Sequence, residues 1–196
     1  MPILRHSEEE LTQAINQGPI TTEYKADPKW VVGQLNRLRA TEITSYLQYK
    51  QHAYMAVSLF APGLKEDFQT HADVELQHAD LLGERVQQLG GVPVYNPVEL
   101  AVKAAEEGVR PEQGATLTEM VIENLMLERQ QVAGYTALIR EIGDQDLTTR
   151  QLLLNILAET EKHASELADY LKRSTETRKG VPSLDEAYIA QADRQA

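Results

Sequence analysis

Four long segments of this sequence repeat apolar residues with the period of an α-helix, and turn signals separate each segment from the next. At about 1.5 Å per residue, the first segment would form a helix roughly 45 Å long, much longer than the average helix of a globular domain. No alternation typical of β-strands competes with this pattern. The sequence therefore predicts an all-α fold with helices over residues 28–58, 64–89, 116–142 and 147–173.

The connections between the four segments predict how the helices are arranged. Short turns at residues 61–63 and 143–146 imply that the helices on either side of each turn are antiparallel neighbours. The connection over residues 90–115 is much longer and contains a short helical stretch, residues 98–107. Such a connection can cross the length of a bundle. We therefore expect a four-helix bundle with one long crossover that carries a short helix.

Both ends of the chain are predicted to lie outside the bundle. Residues 1–27 contain a short amphipathic piece followed by several turn signals, which is typical of an arm. In residues 174–196, a capping box at Ser183 and Glu186 predicts a short C-terminal helix. The expected organisation is an N-terminal arm, one bundle over residues 28–173 and a C-terminal tail.

The charge balance and the absence of cysteine exclude several classes of function. The chain has 19 Lys and Arg residues against 30 Asp and Glu, and its formal net charge of −11 repels phosphate backbones and anionic membranes. We therefore expect no nucleic-acid partner and no membrane association. Without cysteine, a metal must bind to oxygen and nitrogen ligands. No signal peptide or long apolar stretch is visible, so a cytoplasmic location is expected.

Ionisable side chains interrupt the apolar, core-facing stripe of each long helix. On the second helix, Glu75 and His78 lie in line with leucine and valine residues. The corresponding residues near the middle of the other three helices are Glu42, Glu128 and His163. Every helix is therefore predicted to send a carboxylate or an imidazole inward.

Such a cluster of buried carboxylates needs compensation. Carboxylates buried close together repel one another and become neutral unless a cation lies among them. Two divalent ions would supply that charge, in a mixed shell of oxygen and nitrogen suited to iron or manganese. Glu75 and His78, one turn apart, can reach the same ion. A structural polar network without metal is the alternative interpretation, and it is the commoner one for any single buried glutamate.

The residues in these positions resemble the ferritin-like superfamily, specifically bacterioferritins and the bacterioferritin-like mini-ferritins, which are Dps-like cage proteins. The stretches that carry the resemblance are Thr41–Tyr49, Glu75–Arg85, Leu127–Glu128 and Ile156–His163. The resemblance implies that Glu42 and His78 bind one iron. It implies that Glu128 and His163 bind the other, with Glu75 as the bridge.

Two positions depart from the pattern of this family. Three residues before His163, where the family has a second bridging glutamate, this chain has Thr160. Glu159 lies on the flank of the inward stripe and is a candidate substitute ligand, whereas Glu161 points in roughly the opposite direction. Leu76 stands where bacterioferritins have a haem-ligating methionine, so no haem is expected. The remaining three glutamates and two histidines also resemble the ligands of dimanganese catalases.

Two further histidines and a tyrosine lie near these ligands. His71 lies one turn before Glu75, where a supporting or access role is expected rather than ligation. His52 lies about 80° from Glu42 around the helix, which predicts an interface or surface position. Tyr49 is similar to the tyrosine that the family has beside its metal site. It is a candidate catalytic residue that could donate an electron, although core packing explains most tyrosines at such spacing.

The resemblance implies iron storage and detoxification by a ferroxidase. In this interpretation two Fe²⁺ ions bind between the four helices, peroxide or O₂ oxidises them, and the Fe³⁺ is mineralised inside a homo-oligomeric cage, expected to be a dodecamer. Manganese or zinc could occupy the same di-iron site. The alternatives are a manganese catalase-like enzyme that stores no metal, and a structural bundle that binds none.

Overall fold

The fold consists of six helices over the part of the chain that the structure describes. The structure is a computed structural model that describes residues 6–56 and 62–175. The helices are α1 (Glu8–Gln17), α2 (Pro28–Met55), α3 (Pro62–Gln88), α4 (Pro97–Glu106), α5 (Leu117–Ile142) and α6 (Leu147–Thr175). These ranges contain no β-strand, which confirms the all-α prediction. The helix predicted at Ser183 and Glu186 lies outside the described residues.

The four long helices pack into a bundle with the predicted crossover. α2 packs along α3 and α5 packs along α6, while contacts of α2 with α5 and of α3 with α6 join the two pairs. α4 lies in the crossover and packs against α2. As predicted, Asp27 caps α2, and Thr116 with Glu119 forms a capping box at the start of α5. None of the described helices has a stretch long and apolar enough to cross a membrane.

Two apolar clusters fill the bundle, and a polar layer lies between them. One cluster joins the N-terminal half of α2 to the C-terminal half of α3, and the other joins the opposite halves of these helices. The first includes Leu35, Val86, Ile139 and Ile156, and the second includes Ala53, Phe68, Met120 and Leu167. On each long helix, the ionisable residues singled out from the sequence lie between the two clusters.

The segment that precedes α2 packs against the bundle, although α1 itself buries no residue. The hydroxyl of Tyr24 donates a hydrogen bond to Oδ2 of Asp146 over 2.8 Å. Ile20 packs against the first apolar cluster, and Ala26 belongs to it. The arm predicted over residues 1–27 therefore combines an exposed helix with a segment that is fixed to the bundle.

A buried ion pair joins α3 to the start of α6. Nη2 of Arg85 lies 2.9 Å from Oδ1 and 3.1 Å from Oδ2 of Asp146. Nε of Arg85 donates to Oγ1 of Thr149 over 2.8 Å, and Asp146 accepts a further bond from the backbone N–H of Thr149. Breaking such a pair leaves a buried charge without a partner, so this contact helps to fix the helices that carry the polar layer.

Candidate metal centre

The polar layer contains a first cluster, formed by Glu42, Glu75 and His78, and all three side chains are buried. One ligand atom from each of the three lies within 4.8 Å of the other two. Nδ1 of His78 lies 3.2 Å from Oε2 of Glu42. α3 presents Glu75 and His78 one turn apart, and α2 presents Glu42 opposite them. These donor atoms are therefore close enough to hold one divalent ion.

A second cluster, formed by His71, Glu128 and His163, lies beside the first and is also buried. Its ligand atoms again lie within 4.8 Å of one another. Nδ1 of His163 is 3.3 Å from Oε1 of Glu128 and 3.4 Å from Oε1 of Glu75. Glu75 thus contacts both clusters, as expected of a carboxylate that bridges two ions.

Two tyrosines and a glutamine orient the carboxylates. Tyr135 donates a hydrogen bond to Oε1 of Glu42, and Tyr49 donates one to Oε1 of Glu128, each over 2.5 Å. Nε2 of Gln131 donates to Oε1 of Glu42 over 2.9 Å. Carboxylates held by such partners need little reorganisation when they bind a metal.

The atoms that face the middle of the layer fit a pair of divalent ions. Oε1 of Glu75, Oε2 of Glu128 and Nδ1 of His163 are buried and have no hydrogen-bond partner among the described residues. The other oxygen of Glu75 accepts a hydrogen bond from Gln131 over 3.0 Å. Buried acceptors without partners cost free energy unless something occupies them. Carboxylate and imidazole are suitable ligands for iron, manganese and zinc, so these residues would hold two such ions.

The electrostatics of the layer also favour a bound cation. Burial raises the pKa of Glu75 to about 7, and the charge of Glu42 adds to the shift. Burial and the adjacent Glu75 raise the pKa of Glu128 well above its ordinary value. The metal-free site therefore resists full ionisation of its carboxyl groups. Divalent ions would favour the charged forms that serve as ligands.

Each histidine of α3 has a glutamate of α6 as its outer partner. Nε2 of His78 lies 2.8 Å from Oε2 of Glu159, and Nε2 of His71 lies 3.1 Å from Oε2 of Glu166. Burial lowers the pKa of His78, but the surrounding carboxylates outweigh burial and raise it to about 9. Burial and the neighbouring His163 lower the pKa of His71 to about 4, so its ring carries one proton at neutral pH.

The structure brings together the five side chains that the resemblance implied as ligands. These are Glu42, Glu75, His78, Glu128 and His163. Their inward direction follows from the 3.6-residue period of the four helices. Their binding of metal stays a prediction.

Glu159 lies away from the position of the missing bridge. Its side chain is 59% exposed and contacts the outer nitrogen of His78, rather than filling the space beside Glu128. Thr160 is buried, and its hydroxyl donates to the backbone oxygen of Ile156 over 3.0 Å. Glu161 is exposed, in the direction that the helical period predicted. A role of Glu159 as a direct ligand stays a prediction, whereas its contact with His78 is a finding.

Two features of the layer differ from the sequence-based expectations. His52 is not a surface residue: it is 0% exposed, and its Nδ1 lies 2.9 Å from Oδ1 of Asn124. The angular position of His52 on α2 could not show that His52 contacts Asn124, because Asn124 lies on α5. Gln131, which contacts two carboxylates, was missed because an uncharged amide on an apolar helix face gives no distinct signal. Leu76 is 40% exposed and faces away from the layer's buried residues.

A cavity of about 430 Å³ lies against the second cluster. Its lining includes the buried His71 and His163 together with exposed residues such as Lys162, so it connects the surface with the cluster. Asp67 and Glu166 also line it. The second cluster can therefore be reached from the surface through this cavity.

Comparison with known protein families shows the family to which this chain belongs. The family model described as a ferritin-like domain matches residues 32–176, which include most of α2 and the whole of α3, α5 and α6. The chain belongs to the ferritin-like domain family. This result confirms the resemblance drawn from the sequence.

Ferritin-like relatives include both DNA-binding stress proteins and a bacterioferritin. The nutrient stress-induced DNA-binding protein of Synechococcus sp. is 33% identical over 141 residues, which cover 70% of this chain and 78% of the relative. A protein of the same name from Nostoc sp. is 29% identical over 73% of this chain and 78% of its own length. The bacterioferritin of Mycobacterium avium is 30% identical over 78% of this chain and 87% of the relative.

Two solved ferritin-like structures share the fold. The bacterioferritin-related protein from Bacteroides fragilis, described as a dodecameric thioferritin, has a TM-score of 0.71 and 26% identity and covers 87% of this chain and 92% of its own. A mutant of Mycobacterium smegmatis Dps1 has a TM-score of 0.68 and 17% identity and covers 78% and 99% of the two chains. The second likeness concerns the fold alone. Together with the bacterioferritin relative, this family membership points to iron storage.

Proposed function

We propose that this chain is a ferroxidase subunit, which oxidises Fe²⁺ and stores the resulting Fe³⁺ in a homo-oligomeric cage. One observation carries the proposal: Glu75 of one buried cluster contacts His163 of the adjoining buried cluster, and each cluster contains carboxylate or imidazole atoms without partners among the described residues. Glu42 and His78 would bind one Fe²⁺ as substrate. Glu128 and His163 would bind the other, and Glu75 would bridge the two ions.

The proposed reaction removes one electron from each Fe²⁺. Two electrons and two protons convert O₂ to hydrogen peroxide, and the same number convert peroxide to two molecules of water. Iron provides the electrons, and the protein provides ligands, geometry and a site shielded from bulk water. Manganese or zinc ions could occupy the same ligands, because carboxylate and imidazole accept them as well.

Tyr49 is the candidate catalytic residue of this site. Its hydroxyl lies 2.5 Å from Oε1 of Glu128, so an oxidisable phenol touches a proposed ligand of the second ion. Burial and the charge of Glu128 raise the pKa of Tyr49 well above its ordinary value. The phenol is therefore protonated at neutral pH. We infer that Tyr49 can supply a further electron when the oxidant needs more than the two irons provide.

The supply of Fe²⁺ would use the cavity beside the second cluster. Asp67 and Glu166 in its lining carry negative charge, and the whole chain has a formal net charge of −11. Such a field concentrates cations near an opening and raises their rate of arrival. Storage would need the enclosed space of a cage. The dodecameric B. fragilis protein, which has the same fold, supports a dodecamer.

The oxidation of Fe²⁺ under stopped flow tests the ferroxidase. Glu75→Gln removes the bridging charge with little change in volume, and we expect the fast phase to slow by at least about 10–100-fold, the loss seen when groups that only orient a ligand are removed. Glu84→Gln is the matched control, because Glu84 is exposed on the same helix. Equal oxidation rates in the wild type and Glu75→Gln would disprove the site.

Assembly size and metal content separate storage from the alternative enzyme. Light scattering on the purified protein and iron analysis after loading should show a hollow dodecamer that retains many more iron ions than two per chain. A compact hexamer or smaller particle that holds only manganese would support a manganese catalase-like enzyme instead.

A further inference from the structure

The contact between His78 and Glu159 has a second copy in the same pair of helices. Nε2 of His78 faces Oε2 of Glu159 at 2.8 Å, and Nε2 of His71 faces Oε2 of Glu166 at 3.1 Å. His71 precedes His78 by two turns of α3, and Glu166 follows Glu159 by two turns of α6. The same carboxylate–imidazole unit therefore occurs twice, once beside each cluster.

Both units direct Nδ1 toward the middle of the bundle. Nδ1 of His78 lies 3.2 Å from Oε2 of Glu42, and Nδ1 of His71 lies 3.3 Å from the hydroxyl of Tyr49. In each case the carboxylate of α6 is placed to accept a proton from Nε2 when the ring carries a single proton. A histidine with one proton then carries its lone pair on Nδ1, which is the form that binds metals.

When the site binds metal, no neighbouring group donates a good hydrogen bond to the lone pair on Nδ1 of His71. Ligating carboxylates are ionised, and the hydroxyl of Tyr49 is 2.5 Å from Glu128, much closer than its 3.3 Å to His71. The single hydroxyl proton of Tyr49 then belongs to the bond with Glu128. Nδ1 of His71 is thus left facing the second cluster with an unused lone pair.

The second cluster is also the one that lacks a carboxylate. The hydroxyl of Thr160 bonds to its own helix, so this residue presents no ligand. The ring of His71 stacks on that of His163, with a centroid distance of 4.0 Å and an angle of 16° between the planes, so one ring must turn before the in-plane lone pairs of both can reach the same ion. A ligand atom of His71 lies within 4.8 Å of one from His163 and one from Glu128.

We propose that His71 binds the second metal ion through Nδ1, in place of the carboxylate that Thr160 cannot supply, and that Glu166 is the positioning residue for its ring. This inference rests on the proposed function. It gives the second ion two imidazoles and the first ion one. The two sites therefore differ in their ligand chemistry, and the second is the more nitrogen-rich.

Titration of the metal-free protein with Co²⁺ tests the ligand set without any redox step. Wild-type protein should take up two ions per chain. In His71→Gln the affinity of one site should fall at least 10–100-fold while the other is unchanged, and Glu166→Ala should weaken the same site by about 10-fold or more. His52→Gln is the matched control, because His52 is equally buried on α2 but lies outside both clusters.

The outcomes distinguish this inference from the proposed function. Two tight sites in His71→Gln would overturn the role of His71 and leave the metal pair intact, whereas fewer than two sites in the wild type would overturn both. Anomalous diffraction from zinc-loaded wild-type crystals gives a test that needs no variant. A bond of about 2.0–2.1 Å from Nδ1 of His71 to the second ion supports ligation. A zinc ion bound to Glu128 but out of contact with His71 overturns it.

Discussion

The hydroxyl of Tyr135 donates a hydrogen bond to Oε1 of Glu42 over 2.5 Å, and both side chains are completely buried. Tyr135→Phe removes this donor and leaves Gln131 as the remaining partner of that oxygen. Because hydrogen bonds fix the direction of a ligating carboxylate, we expect about 10-fold weaker metal binding at the site of Glu42. A Co²⁺ titration of the wild type and Tyr135→Phe measures this change in affinity.

Tyr46→Phe provides the control for this prediction. Tyr46 is also a tyrosine of the bundle, but it is only partly buried and packs against the second apolar cluster. Its loss of a hydroxyl should leave both metal affinities unchanged. Equal effects of the two variants would mean that Tyr135 contributes through general packing rather than through Glu42.

The inward direction of the ionisable side chains in the polar layer could be predicted from the sequence because it follows a local rule. Residues that share a face of a helix recur every 3.6 positions, so Glu75 and His78 are visible as interruptions of an apolar stripe. Turn and capping signals also gave the ends of the long helices, as at Asp27 and Thr116.

The partners across the bundle could not be predicted in this way. The contact of Tyr24 with Asp146 joins residues far apart in the sequence, and no local period contains it. The burial of His52 depends on Asn124 of another helix. The helical period of α6 likewise placed Glu159 near the inward stripe. It could not show that the carboxylate of Glu159 reaches His78, because His78 lies on α3.

Glu159→Ala should weaken one metal site only. Since Glu159 accepts the outer proton of His78, its loss frees the ring and should reduce the affinity of the ion at Glu42 by about 10–100-fold. Glu161→Ala, two residues further along the same helix at an exposed position, should change neither site. A Co²⁺ titration in which Glu159→Ala weakens the site of Glu128 would show instead that Glu159 serves the second ion.

Asp146→Asn should destabilise the fold by about 3–5 kcal/mol near neutral pH, because it leaves the guanidinium of Arg85 buried without its carboxylate. Burial raises the pKa of Asp146, but hydrogen bonds, chiefly from Thr149, outweigh it and lower the pKa below its ordinary value. The stabilisation is therefore complete above the unfolded-state pKa of about 4 and is lost as the pH falls through the lower folded-state pKa.

Thermal melts of both proteins between pH 7 and pH 2 measure this effect. The difference in stability between wild type and Asp146→Asn should narrow below about pH 4. Asp144→Asn, at an exposed position in the same turn, should melt like the wild type throughout. A constant difference down to pH 2 would show that the charge of Asp146 contributes nothing to the folded state.

We expect that the protein does not bind DNA at physiological salt, so it should leave the migration of DNA in a gel-shift assay unchanged. Its formal net charge is −11, and residues 1–27 contain Arg5 and Lys25 as their basic residues apart from His6. The relatives from Synechococcus and Nostoc are both named DNA-binding proteins, which counts against this expectation. Retardation that weakens as salt rises would contradict it, because such a slope reports basic side chains on phosphates.

Glu75→Leu should stabilise the metal-free protein while abolishing its response to metal. Oε1 of Glu75 is buried without a partner among the described residues, and Gln131 keeps its bond to Glu42 when Glu75 is lost. Removing an unsatisfied buried acceptor relieves about 1–3 kcal/mol, so the melting temperature in EDTA should rise by roughly 2–10 °C. Added Zn²⁺ should stabilise the wild type much more than the variant, because only the wild type has the bridge. A lower melting temperature of Glu75→Leu in EDTA would mean that Glu75 belongs to a structural polar network, which is the one interpretation of this layer that requires no metal.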